Sequence, residues 1–200
     1  MTRCLKAASL ALAAFFFSVA AFAQGAAPSL TPSAPPSAEE EALWKRIARG
    51  GVVVMVRHAA TEPGVGDPPH FRLGDCSTQR NLSEEGRIQA RRLDAAFRAR
   101  GIVPAQVLSS QWCRCRDTAQ EAFGTYAEAP ALNSFFDNRA TEGAQSAQAR
   151  ALIAAVKPGE VRVLVTHQVN ITALGGQGVG LGDLFVFGRD AKLLGRISAP

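Results

Sequence analysis

Val-Val-Val-Met-Val-Arg-His-Ala-Ala-Thr, residues 52–61, decides how this chain is read. Five β-forming residues in a row, apolar without alternation, describe a strand buried on both faces. The run then stops at Arg57-His58. A cation and an imidazole do not belong inside a core. They belong where the chain leaves the sheet, and α/β proteins place their chemistry at that edge. The test of this reading is whether other residues are delivered to the same edge.

Three further segments deliver them. Ala105–Leu108 reads as a short second strand, followed by Ser109-Ser110 and a helix from about Trp112 to Phe123 with Arg114 in its first turn. Val161–Thr166 is β-branched and reads as a third strand, ending at His167. Helices are expected between these strands: one opened by Ser83 as N-cap with Glu84 and Glu85 on the positive end of the dipole, and an Ala-rich one from Glu142 to Val156. An earlier helix opens at Ser37 with Glu40 at capping-box spacing and is stopped by Gly50-Gly51. A short helix follows His167. Two last strands, Leu184–Phe187 and Leu193–Ile197, read as a hairpin turned at Arg189-Asp190. Alternation of this kind predicts an α/β three-layer sandwich, a mainly parallel sheet with helices on both faces. A parallel sheet gathers Arg57, His58, Arg114 and His167 on one edge.

The ends of the chain carry a different message. Arg3 and Lys6 precede an apolar stretch, Leu10–Ala20, and Ala21-Phe22-Ala23 forms a small-x-small cleavage site. This predicts a signal peptide over residues 1–23, an Ala/Pro/Ser-rich linker over 24–37 and one domain over 38–200. The product would be secreted, into a periplasm, with no membrane attachment after cleavage. About 160 residues suffice for a single core. The whole chain has 22 Lys and Arg against 17 Asp and Glu. Two of the basic residues fall in the signal segment, so what remains is mildly basic, and no nucleic-acid partner is expected. Six arginines between Arg80 and Arg100 share a helical pattern with Glu84, Glu85 and Asp94 and read as a solvated face.

Cys76, Cys113 and Cys115 remain after cleavage. An exported chain can hold a disulfide, and the pattern predicts one bridge from Cys76 to either Cys113 or Cys115, with one thiol left over. Residues 60–79 contain Pro63, Gly64, Gly66, Pro68, Pro69 and Gly74 and no periodicity. A loop of that length is expected to roof a site. Within it His70 reads as exposed, with a place near substrate as the alternative, and Arg80, just past its far end, reads as a surface ion pair, with a substrate contact as the alternative.

Two arginines and two histidines suit a tetrahedral oxyanion. Guanidinium groups bind phosphate in a fork and stay charged, and a helix N-terminus beside Arg114 adds N–H donors. A neutral imidazole is a nucleophile, so His58 can attack phosphorus while the others stabilise the equatorial oxygens.

At this point the residues resemble a known family. Arg57-His58-Ala59 is similar to the Arg-His-Gly/Ala signature of the histidine phosphatase superfamily, the phosphoglycerate-mutase-like fold, and the chain looks like a small branch 1 member. Ser109-Ser110-x-x-x-Arg114-x-x-x-Thr118-Ala119 resembles its second-arginine motif, and Val165-Thr166-His167 its second-histidine motif. Leu82-Ser83-x-x-Gly86-x-x-Gln89-Ala90 matches the helix start between them. The resemblance implies a metal-independent phosphomonoester hydrolase, with no cofactor, acting on a small phosphorylated substrate. His58 would be the phosphorylated nucleophile, Arg57, Arg114 and His167 the phosphate pocket, and Thr61 a lining residue. One departure stands out. Many members carry a Glu two residues after a Leu in the loop beyond the second-arginine helix, whereas Leu132-Asn133 is followed here by Ser134. The proton donor must come from elsewhere, with Asp137 nearest and Glu142, also a candidate for substrate binding, second. The rival readings are a metal-dependent hydrolase using a histidine and Cys113 or Cys115, a non-catalytic polyanion-binding protein, and a mutase.

Overall fold

A computed structural model describes residue 1 and residues 35–200. The expected signal peptide beyond residue 1, and the linker up to residue 34, lie outside the described residues. The linker's last three residues, 35–37, are exposed and irregular. No described helix is long and apolar enough to cross a membrane.

Helix α1 (Ala38–Ala48) starts at the expected capping box: Ser37 accepts from the Glu40 amide while the Glu40 carboxylate accepts from the Ser37 amide. Gly50 and Gly51, both at positive φ, turn the chain into β1 (Val52–Arg57). A Cβ on Gly50 would meet the Gly159 carbonyl at 2.2 Å, so this turn needs glycine for space as well as for conformation. Helix α2 (Glu84–Arg98) is capped by Ser83. Then come β2 (Gln106–Ser109), α3 (Cys113–Phe123), a two-residue β3 (Ala127–Glu128), α4 (Glu142–Ala154), β4 (Val161–Thr166), α5 (Gln168–Ala173), β5 (Leu184–Gly188) and β6 (Leu193–Ile197).

The six strands form one sheet in the order β3-β2-β4-β1-β5-β6. Strands β1, β2, β3 and β4 run parallel; β5 is antiparallel to β1, and β6 to β5. The sheet is thus mixed but mostly parallel, as the alternation predicts, and the last two strands are the expected hairpin. Strand β1 lies inside it with its first five residues buried. Its side chains alternate between two cores. Val52, Val54 and Val56 face Trp44, Leu93, Phe97 and Ala119 from α1, α2 and α3. Val53 and Met55 face Ile153, Ile171 and Leu132 on the other side. A strand packed on both faces needs apolar residues at every position, which is why this run has no alternation. The sheet order puts β4 directly between β1 and β2. Their three C-terminal ends therefore lie side by side.

Candidate active site

Arg57 is opposite Thr166 in the β1–β4 ladder, and the His58 amide donates to the Thr166 carbonyl at 3.0 Å. This register sets His58 beside His167, with ring centroids 5.5 Å apart. Arg114 enters from the first turn of α3, its guanidinium 4.4 Å from the centre of the Trp112 ring. Arg57, His58, Arg114 and His167 line one cavity of about 620 Å³. The structure thus brings these four predicted residues together.

The motif residues around them have identifiable work. Thr118 donates to the Arg114 carbonyl and accepts from the Ala59 amide, tying α3 to the segment after His58. Gln89 accepts from the Ala60 amide and donates to the Leu181 carbonyl. A Cβ at Gly86 would lie 1.9 Å from the Ala60 oxygen, so only glycine lets α2 approach this closely. Each contact fixes the backbone that carries His58.

The histidines are buried, and their hydrogen bonds set their tautomers. His58 Nδ1 is 2.9 Å from the Ala59 carbonyl, which can only accept. The proton therefore sits on Nδ1 and the lone pair on Nε2. Burial, reinforced by Arg114, pushes the His58 pKa well below the usual imidazole range, so the ring is neutral and nucleophilic. His167 Nε2 is 2.9 Å from Ser110 Oγ, which gives its own hydrogen to Asn133 Oδ1. Asn133 Oδ1 is in turn oriented by the Gln111 amide. His167 Nε2 is then the donor, and its Nδ1 has no partner among the described residues. Burial, with His58 and Arg114, also lowers the His167 pKa strongly. Its Nδ1 therefore carries the ring's lone pair.

Of the two readings of Arg80, a surface ion pair and a substrate contact, the structure favours the second. Arg80 lines the same cavity, and its Nε has no partner among the described residues. Burial and the neighbouring Arg114 lower its pKa; burial and Arg80 do the same to Arg57. Three guanidinium groups this close repel one another unless an anion joins them. Among the described residues, the carboxylate that pairs with Arg114 is Asp67, its Oδ1 2.8 Å from Arg114 Nη1. No pattern in the aperiodic loop singled out Asp67.

Of the remaining predicted positions, Asp137 lines the cavity from its exposed rim, next to Phe136, which is 72% exposed. Glu142 does not line it: its carboxylate pairs with Arg139 at 3.1 Å at the start of α4. Thr61 does not line it either, since its backbone bridges to Leu82 at the foot of the loop. His70 is exposed, as expected. The loop over the site is stapled by a disulfide between Cys76 and Cys113. That leaves Cys115 as the odd thiol, buried 3.4 Å from His167 Nε2, its pKa pushed up by burial to about 12. Cys113 is held in the bridge and is no free thiolate. Among the described residues no three His, Cys, Asp or Glu side chains gather into a metal-binding cluster.

The mostly parallel α/β sheet that carries two histidines and three arginines at one edge has the phosphoglycerate-mutase-like fold. Residues 53–134 match the family model of the histidine phosphatase superfamily (branch 1), a stretch that contains the Arg57-His58 and Arg114 motifs and ends before His167. In structure, the chain is similar to SixA of Agrobacterium tumefaciens, described as a putative phosphohistidine phosphatase (TM-score 0.54, 24% identity, covering 75% of this chain and 99% of that one). It is similar to the protein histidine phosphatase SixA complexed with tungstate (0.52, 15%, 74% and 97%). It is likewise similar to a phosphoglycerate mutase from Thermus thermophilus (0.52, 20%, 74% and 99%). No curated protein matches the chain.

Proposed function

We propose that this protein is an exported, metal-independent phosphatase that works through a phosphohistidine. The observation that carries the reading is the His58 tautomer: a neutral ring with Nδ1 engaged by a carbonyl and Nε2 free, in a cavity walled by arginines. The phosphoryl group of a small phosphomonoester rests on Arg57, Arg80, Arg114 and His167. His58 Nε2 attacks phosphorus, the P–O bond to the leaving group breaks, and that oxygen takes a proton from an acid on the cavity wall. Water then attacks phosphorus, the N–P bond breaks, and phosphate leaves. The guanidinium groups contribute most where charge moves onto the equatorial oxygens, since they are already in place and partly shielded from water.

Export rests on the signal-like residues 1–23 and is supported by the disulfide, which suits an oxidising compartment. Incubation with a radiolabelled phosphomonoester should leave acid-labile, base-stable phosphate on the wild-type protein and none on His58→Ala. Full turnover by that variant ends the proposal. Activity that persists with chelator present and is blocked by vanadate separates this reading from a metal-dependent hydrolase.

A further inference from the structure

The acid is the part of this chemistry that the family motif does not supply, and the cavity contains a carboxylate that sequence reasoning passed over. Asp67 lies in the loop between β1 and α2 and lines the cavity together with His58 and Arg114. Its Oδ1 is held twice, by Arg114 Nη1 at 2.8 Å and by the Arg80 amide at 3.1 Å. Its Oδ2 takes no hydrogen bond from the described residues. The side chain is 21% exposed, so it is sheltered without being sealed off.

The loop holding Asp67 is itself fixed at several points beyond the disulfide. Gln79 donates to the Arg72 and Leu73 carbonyls and accepts from the Cys113 amide. Asn81 donates to the Cys76 carbonyl. Phe71 lies against Trp112, ring centroids 4.2 Å apart. Asp137 has none of this support. It is exposed at the rim, and its side chain makes no hydrogen bond with the described residues. A proton donor must be held where the leaving oxygen will be, and of the two acids only Asp67 is held.

We propose that Asp67, and not Asp137, gives the proton to the leaving oxygen. The assignment rests on the phosphohistidine reading above. A phosphoryl group arriving on Arg114 places two anions around one cation, and a single proton shared between Asp67 Oδ2 and the substrate relieves the repulsion. That proton comes from the substrate monoanion or from solvent. As Nε2–P forms and P–O breaks, the bonding pair moves to the leaving oxygen, which takes the proton from Oδ2. The resulting carboxylate takes a proton from the water that attacks the phosphohistidine and passes it to the departing phosphate, so Asp67 ends the cycle as the carboxylate that pairs with Arg114.

The test uses the leaving group. Asp67→Asn keeps the oxygen that Arg114 and the Arg80 amide need but has no proton to transfer. The wild type, Asp67→Asn and Asp137→Asn are compared on 4-nitrophenyl phosphate, whose leaving group needs no proton, and on glycerol 3-phosphate, whose leaving group does. Thermal melting confirms that each variant folds. Asp67→Asn should lose about 100-fold or more on the alkyl ester and less than about fivefold on the nitrophenyl ester, with Asp137→Asn near wild type on both. Equal losses on the two esters would make Asp67 a support for Arg114 and overturn the assignment. So would a lowered KM with unchanged kcat, which would mark Asp67 as a plug in the anion site, or a leaving-group-selective loss in Asp137→Asn. A wild type that hydrolyses neither ester and is never labelled at His58 overturns the phosphatase reading and this assignment with it. A labelled wild type beside an unselective Asp67→Asn sinks the assignment alone.

Discussion

The floor and the roof of the cavity are built differently. The floor comes from strand ends: Arg57 and His58 after β1, His167 after β4, and Arg114 one short loop beyond β2. Their backbones are held by ladder hydrogen bonds and by residues 2–3% exposed, such as His58, Arg114 and His167 themselves. The roof, residues 60–79, has only a short 3-10 turn at Cys76–Thr78 and is held by side chains: one disulfide, Gln79, Asn81 and Phe71 on Trp112. A floor of regular structure can hold a nucleophile in one orientation. A roof held by a few side-chain ties can be tuned for the substrate without disturbing the sheet.

The contrast is broken most severely at His58. Removing its imidazole should take turnover to background, measured as phosphate release, because it removes the Nε2 lone pair that attacks phosphorus. Arg114→Ala should lower kcat by about 100- to 1,000-fold, the usual cost of losing one preorganised donor to a developing oxyanion. Steady-state kinetics with melting as control checks it, and a loss confined to KM would put Arg114 in the roof's class instead of the floor's.

Asp67 apart, loosening the ties that hold the roof should weaken affinity and stability more than chemistry. Replacing Cys76 and Cys113 together with Ser removes a link between residues 37 apart. It should cost about 2–4 kcal/mol of stability, read as a denaturant midpoint, and raise KM severalfold with a smaller change in kcat. An unchanged KM would show that Gln79 and Phe71 hold the roof without the bridge.

Acid should reach the floor first. His58 and His167 have pKa values well below their ordinary value in the folded state, whereas the unfolded chain protonates them near pH ~6.5. Below that pH the unfolded state binds more protons. Stability is thus full above it and falls as pH drops, by up to about 1.4 kcal/mol per pH unit for each histidine. Denaturant titrations of wild type and His167→Gln from about pH 7 to about pH 5, the range in which a free histidine titrates, should show a shallower slope in the variant. The smallest effect concerns Cys115. With a thiol pKa of about 12 and full burial, it should not react with a maleimide at neutral pH until the protein unfolds.

The sequence made the floor legible because its rules are local. Val52–Val56 has to be a doubly buried strand, Ser37 and Ser83 cap helices through their own hydroxyl groups, and Arg57-His58 and His167 stand where apolar strands stop. Arg57, His58, Arg114 and His167 could therefore be placed at one edge before any distance was known. The roof follows no periodicity, so Asp67 was invisible as a site residue and Arg80 was ranked first as a surface ion pair: nothing in residues 60–80 says which side chains turn inward.

The cysteines show the same boundary. The composition and the export-like leader predicted one bridge from Cys76. Only the helix decided its partner. Cys113 and Cys115 sit two residues apart on α3, about 200° around the axis. Cys113 meets the roof while Cys115 points into the core toward His167. Glu142 was drawn away in the same manner, by Arg139 beside it in sequence but outside the cavity. Periodic hydrogen bonding and burial write themselves into neighbouring residues and can be read from the chain. Which side chains meet across a loop depends on contacts between residues far apart, and the folded structure alone settled them.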